Sequence, residues 1–125
     1  MANILVASCF TGNSENDERW CRLQTLFMNK TVSTHTITKL ACVSNEQTNL
    51  EPYKRYGYYA TNQSDKAHHT GVKVILDHFK QEQQYDYLCI LDSDAWPVQP
   101  YWLENCIEWS NTSEFIGAAA IRTEN

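Results

Sequence analysis

The apolar residues of this chain fall into short continuous runs that alternate with segments of helical spacing. The run at 4–10 is almost continuously apolar, so it predicts a parallel strand buried on both faces, and the shorter run at 88–91 predicts a second buried strand. Val72, Ile75, Leu76 and Phe79 recur at i, i+3, i+4 and i+7, which is the clearest helical signal in the chain.

The complete reading alternates strands with helices. Strands are predicted at 4–10, 34–43, 58–60, 88–91 and 115–121, and helices at 17–29, 67–83 and around Leu103, Cys106 and Ile107, the last beginning at Pro100. Residues 44–52 are expected to be a polar loop. The tyrosine-rich segment 53–60 is either half-buried packing or a wall for a planar ring. This order predicts an α/β fold, with a mostly parallel Rossmann-like sheet and helices on both faces.

Composition favours a folded domain that does not bind nucleic acid. The chain has 125 residues, 42% of them hydrophobic and 20% charged, which suits one domain spanning 1–125. Its net charge is −5 and its longest basic cluster is Lys54-Arg55, so a nucleic-acid backbone is not expected as a partner. No apolar run approaches the roughly 20 residues of a membrane span.

The cysteines and the amino-terminal residues predict a cytoplasmic location. Met1-Ala2-Asn3 leads directly into the first apolar run, without the basic region or cleavage site of a signal peptide. The five cysteines are odd in number and widely spaced, as is typical of reduced core thiols.

The run at 88–91 ends in Asp92-Ser93-Asp94, which is the strongest candidate for chemistry. Ligands of open α/β sheets bind beyond the carboxyl ends of the strands. Two carboxylates one residue apart can hold a divalent cation, which in turn holds phosphate oxygens. The simpler alternative is a solvated loop or a helix-capping pair.

Residues 67–105 resemble the donor-binding half of a GT-A-type, family 2-like glycosyltransferase, a nucleotide-diphospho-sugar transferase. Those enzymes end a central strand in Asp-x-Asp, and residues 91–97 (Leu-Asp-Ser-Asp-Ala-Trp-Pro) match that motif. The resemblance implies a cofactor, Mn²⁺ or Mg²⁺, with Asp94 as a metal ligand and Asp92 near both the metal and the ribose. Ser93 is then part of the nucleotide-sugar site.

The same resemblance implies further nucleotide-sugar contacts. Many relatives open the preceding helix with Ala-Arg-Asn-x-Gly, and here 67–71 read Ala-His-His-Thr-Gly, which places His68 and His69 at the diphosphate. Relatives also grip the base and ribose after the first and second strands. The corresponding residues in this chain are Ser8, Cys9, Phe10 and Asn45.

The expected function is binding of a nucleotide-diphosphate sugar and transfer of the sugar to an acceptor hydroxyl. Such enzymes are usually much longer, so the chain is interpreted as a truncated or minimal donor-binding domain without the acceptor part, and no catalytic base is assigned. The alternative is a non-catalytic GT-A-like module for nucleotide binding or protein interaction. A sugar-phosphate nucleotidyltransferase is disfavoured because the loop at 11–16 has one glycine and no basic residue. Tryptophans around the last helix favour a homo-oligomer.

Overall fold

The computed structural model describes residues 2–63 and 68–112. Strands and helices alternate along this part of the chain. They are β1 (Asn3–Phe10), α1 (Ser14–Met28), β2 (Thr36–Val43), α2 (Glu51–Arg55), β3 (Tyr58–Asn62), α3 (His68–Glu82), β4 (Tyr87–Ile90) and α4 (Trp102–Thr112).

The strands form one sheet in the order β3-β2-β1-β4, and every pair is parallel. In the register, Phe10 lies opposite Val43, and Ala7 lies opposite Ile90. The chain therefore builds outward from β1 through β2 to β3, and then crosses back to place β4 on the other side of β1. The strand order reverses between β1 and β4, the position at which open α/β sheets bind ligands.

Both faces of the sheet are covered by helices, which confirms the predicted α/β class. Successive side chains of a strand point to opposite faces. Ile4 and Val6 pack in one cluster with Met28 of α1 and Leu103 of α4. Leu5, Ala7, Leu40 and Cys42 pack in a second cluster with Ile75 of α3 on the other face. Burial on both faces explains why β1 is a continuous apolar run. The expectation that the strand at 88–91 is buried is wrong: β4 is the last strand in the described order, its side chains are partly buried, and Ile90 is 37% exposed.

Two helices begin at different residues from those predicted. The first starts at Ser14 rather than at residue 17, because the Asn13 side chain caps it by accepting a hydrogen bond from the Asn16 backbone N–H at 3.3 Å. The last starts at Trp102 rather than at Pro100. The Pro100 carbonyl accepts a hydrogen bond from the Val32 backbone N–H at 2.8 Å, so it is used outside the helix.

The short helix α2 lies where a loop and a tyrosine cluster were predicted. Five residues are too few to show helical periodicity, although Pro52 is favourably placed in its first turn. Tyr53 and Tyr58 are buried, and their ring centroids lie 5.4 and 5.9 Å from that of Phe10. These two tyrosines are therefore core residues, whereas Tyr59 is 69% exposed.

The strand predicted at 115–121 lies outside the described residues. Within 2–63 and 68–112, the helices are too short or too polar to cross a lipid bilayer. All five cysteines are free thiols.

Candidate functional site

The acidic triplet lies at the carboxyl edge of the sheet, directly after β4. The Leu91 backbone N–H donates to the Ala7 carbonyl at 2.9 Å, which extends the pairing with β1 by one residue. Asp92 and Asp94 follow at once, and both are exposed. The Ala95 backbone N–H donates to the Asp92 carbonyl at 2.9 Å, closing a turn. We call residues 92–95 the acidic turn.

Cys9 lies near the carboxyl end of β1, where its thiol meets Cys42 of β2. Its pKa is lowered, chiefly by a side-chain hydrogen bond with Cys42, while burial and the negative charge of Asp92 act in the opposite direction. The hydrogen bond from the Leu91 N–H to the Ala7 carbonyl places the start of the acidic turn beside the last residues of β1. The parallel pairing of β1 with β4 therefore places Cys9 and Asp92 at the same edge of the sheet.

The acidic turn suits a cation that takes part of its ligand shell from substrate. Within 2–63 and 68–112, His, Cys, Asp and Glu side chains form no group of three that could hold a metal ion. The carboxylates of Asp92 and Asp94 would fill only part of the ligand shell of such a cation. Mg²⁺ is commonly held in this way, by one or two carboxylates together with substrate phosphates and water. The donor set fits Mg²⁺ or Mn²⁺ better than a structural metal enclosed by protein.

The loop between β1 and α1 is organised by a buried carboxylate. Asp17 is 1% exposed and accepts hydrogen bonds from the Gly12 backbone N–H at 2.9 Å, from Thr11 Oγ1 at 3.2 Å and from the Tyr53 hydroxyl. The sequence suggested only a favourable charge in the first helical turn. Its buried hydrogen bonds fix the loop at the carboxyl end of β1.

Asn45, at the end of β2, packs directly against this loop. Gly12 has a φ of +90°, and a Cβ placed on it would lie 2.5 Å from Asn45 Cβ. Thr48 Oγ1 also donates to the Gly12 carbonyl at 3.0 Å. Glycine is therefore required by both conformation and space, and the loops after β1 and β2 form one continuous wall.

The residues predicted at the end of β1 do not share one surface. Ser8 and Phe10 are each 1% exposed and point toward α1 and α2. The Ser8 hydroxyl accepts a hydrogen bond from Gln24, and the Phe10 ring packs on Tyr53 and Tyr58. Both side chains lie in the core. Cys9 points to the opposite face, toward α3, and is partly buried.

His68 and His69 open α3, which follows β3 and therefore begins at the carboxyl edge of the sheet. Their side chains lie outside the described part of the structure. Gly71 has a clear role: a Cβ on this residue would lie 2.8 Å from Cys9 Sγ and 3.3 Å from Gln63 Nε2. The glycine lets the first turn of α3 approach the end of β1 closely.

Sequence reasoning missed Gln24, a buried residue of α1 that is 2% exposed. Its Nε2 donates to the backbone carbonyls of Asp92 at 3.1 Å and Ala95 at 3.0 Å. A polar residue between Trp20 and Phe27 on one helical stripe is the signal that could have revealed it.

A groove of about 770 Å³ lies at the opposite, amino-terminal edge of the sheet, where Ala2, His35 and Tyr87 precede or begin their strands. Its volume does not make it the better candidate. Ligands of open parallel sheets bind at the carboxyl edge, and the acidic turn lies there.

Neither the sequence nor the structure gives a significant match to a family model, a curated protein or a solved structure. The candidate site therefore depends on its own geometry and chemistry.

Proposed function

We propose that this domain binds a nucleotide-diphosphate sugar at the carboxyl edge of its sheet and is the donor site of a GT-A-type glycosyltransferase. One observation carries the proposal. Two exposed carboxylates, Asp92 and Asp94, follow β4 directly at the point where the order of a parallel sheet reverses. This combines the ligand position typical of such sheets with the ligand type that Mg²⁺ and Mn²⁺ prefer.

In this proposal Asp92 and Asp94 hold the cation, and the wall formed by the loops after β1 and β2 lies along the nucleoside. When bound, the cation offsets negative charge on the departing diphosphate. The amino terminus of α3 starts at the same edge, and backbone N–H groups at a helix start favour anions. We expect His68 and His69 to meet the diphosphate there.

Donor binding and sugar transfer are separate parts of the proposal. Donor binding depends on the acidic turn and its place in the sheet. Transfer to an acceptor hydroxyl depends on the motif resemblance, and among the described residues we assign no catalytic base. A non-catalytic module would bind the nucleotide in the same way but would not transfer the sugar.

Calorimetric titration tests donor binding. UDP, GDP and CDP are titrated with and without Mn²⁺ into the wild type, Asp94→Ala and the control Asp77→Ala, which removes an equal charge from an exposed position on α3. We expect one nucleotide to bind only with Mn²⁺, and to bind the wild type and the control but not Asp94→Ala. Metal-independent binding, or binding unchanged in Asp94→Ala, contradicts the site.

A second assay separates the enzyme from the module. The nucleotide identified by titration is supplied as its diphosphate sugar, and release of free nucleoside diphosphate is followed with Mn²⁺. Release that depends on Asp94 supports a transferase. Tight Mn²⁺-dependent binding without release, with and without hydroxyl acceptors, supports the non-catalytic module.

A further inference from the structure

One side of α1 faces the acidic turn and holds it from within the core. Gln24 Nε2 lies 3.1 Å from the carbonyl oxygen of Asp92, 3.4 Å from that of Ser93 and 3.0 Å from that of Ala95. A single buried amide thus contacts three of the four backbone carbonyls in the turn. The backbone of the turn contributes less support. Among the described residues, the only backbone hydrogen bond within the turn runs from the Ala95 N–H to the Asp92 carbonyl.

The other end of the same amide fixes its orientation. Gln24 Oε1 accepts a hydrogen bond from the Tyr58 hydroxyl at 2.6 Å. Nε2 also lies 3.1 Å from Ser8 Oγ, so its two hydrogens are shared between this hydroxyl and the carbonyls of the turn. Backbone carbonyls can only accept, so the NH₂ group must face the turn and the oxygen must face Tyr58. Gln24 therefore links the turn to β1 and β3 through groups that are all buried or partly buried.

Trp96, the residue after the turn, is held by the same side of α1. Its ring stacks on Trp20, with centroids 6.0 Å apart and planes 24° apart, and on Phe27, with centroids 6.3 Å apart and planes 15° apart. Trp20, Gln24 and Phe27 are spaced i, i+4 and i+7, so they form one stripe on the helix. Within this stripe, Gln24 holds the turn by hydrogen bonds, and the two aromatic rings hold Trp96, the residue that follows the turn, by stacking.

We propose that Gln24 is a positioning residue for the metal site: it fixes the backbone from which Asp92 and Asp94 project, without touching ligand itself. This inference rests on the proposed function for its link to metal binding. The physical reason is preorganisation. Two carboxylates on a loose turn must be ordered when a cation binds, and the ordering lowers affinity, whereas a turn already fixed by the core avoids that loss.

The variant Gln24→Met tests the proposal, because it keeps the length of the side chain and removes its donors. Cys21→Ala is the control, a core substitution on the same helix that packs with Phe10 and Val43 rather than with the acidic turn. We expect Mn²⁺-dependent nucleotide affinity to fall about 10- to 100-fold in Gln24→Met, the usual effect of losing a residue that orients metal ligands. Affinity should stay within about twofold of wild type in the control, which leaves these orienting contacts intact. Equal losses in both variants contradict a positioning role.

Hydrogen exchange supplies a readout that needs no ligand. In the wild type, the Ala95 backbone N–H and the Gln24 side-chain NH₂ should exchange slowly, and in Gln24→Met the Ala95 N–H should lose its protection while the rest of β4 retains it. If the wild type binds no nucleotide but shows this exchange pattern, the proposed function and the link to metal binding fail, whereas the inference that Gln24 fixes the backbone of the turn is supported.

Fast exchange of the Gln24 NH₂ in the wild type overturns the positioning role, whatever the variants do. That measurement remains decisive if Gln24→Met does not fold. Unchanged protection of Ala95 in a folded Gln24→Met overturns it as well.

Discussion

Asp17 should contribute several times more to the free energy of unfolding than any other acidic residue at the start of α1. It is 1% exposed and accepts hydrogen bonds from three donors, the Gly12 N–H, the Thr11 hydroxyl and the Tyr53 hydroxyl. Asp17→Asn keeps the shape and removes the charge. Asp17→Ala removes every acceptor.

The two substitutions should differ in size. In Asp17→Asn the amide oxygen can face the Gly12 N–H and the Tyr53 hydroxyl, while the NH₂ faces the Thr11 hydroxyl, which can rotate to accept. The number of hydrogen bonds is then unchanged, but none of them has a charged acceptor. We expect this to lower the free energy of unfolding by about 1–2 kcal/mol. Asp17→Ala leaves the buried Tyr53 hydroxyl and the Gly12 N–H without their acceptor, for roughly 2–4 kcal/mol.

Urea unfolding measures both free energies, with Glu15→Gln as the matched control. Glu15 is an exposed acid in the same first turn, so its loss removes only a favourable interaction with the helix dipole, of about 0.3–1 kcal/mol. The expected order of unfolding free energies is Glu15→Gln above Asp17→Asn above Asp17→Ala. Equal losses in Glu15→Gln and Asp17→Ala would refute the buried hydrogen-bond network.

Three further predictions concern residues that support the site. Gly71→Ala should destabilise the fold despite alanine's higher helix propensity, because the new Cβ would lie 2.8 Å from Cys9 Sγ. In a double-mutant cycle measured by urea unfolding, adding Cys9→Ala should restore part of the lost free energy of unfolding. In the same assay, Gly12→Ala should lower the free energy of unfolding by at least 1–2 kcal/mol, roughly the penalty of a left-handed conformation, since φ is +90° and Asn45 Cβ occupies the space of the new methyl group. An unchanged free energy of unfolding would contradict this backbone conformation. Burial raises the pKa of Cys21 from its usual value near 9 to about 12. The thiol therefore loses its proton at lower pH in the unfolded state than in the folded state. Between these two pKa values the free energy of unfolding should fall by about 1.4 kcal/mol per pH unit as the pH rises. Cys21→Ala should show a shallower fall in unfolding free energy over that range, and an identical slope would contradict the assignment.

Much of the fold could be predicted because β1 is buried on both faces and even the partly buried β4 is apolar in sequence. Continuous apolar runs mark β1 and β4, and the spacing of Val72, Ile75 and Phe79 marks α3 within one residue at each end. The place of the acidic turn also followed from local order, because Asp92 comes directly after an apolar strand. Helix α2 escaped prediction because five residues carry too little periodicity.

The supporting residues of the site could not be predicted, because their partners are remote in sequence. Asp17 and Tyr53 are 36 positions apart, and Gln24 and Ala95 are 71 positions apart. A polar residue on a helix reads as solvent-exposed unless something buries it. Only the packing of α1 against the sheet decides that both residues are internal.

The sequence by itself predicted most of the described strands and helices, and it placed two carboxylates directly after an apolar strand. These features are local, since side-chain periodicity and turn chemistry act between near neighbours. The tertiary structure alone decided that β4 lies beside β1, that α1 packs behind the acidic turn, and that Gln24 is the residue holding it. Those outcomes depend on the order β3-β2-β1-β4, which brings segments far apart in the chain to one edge of the sheet.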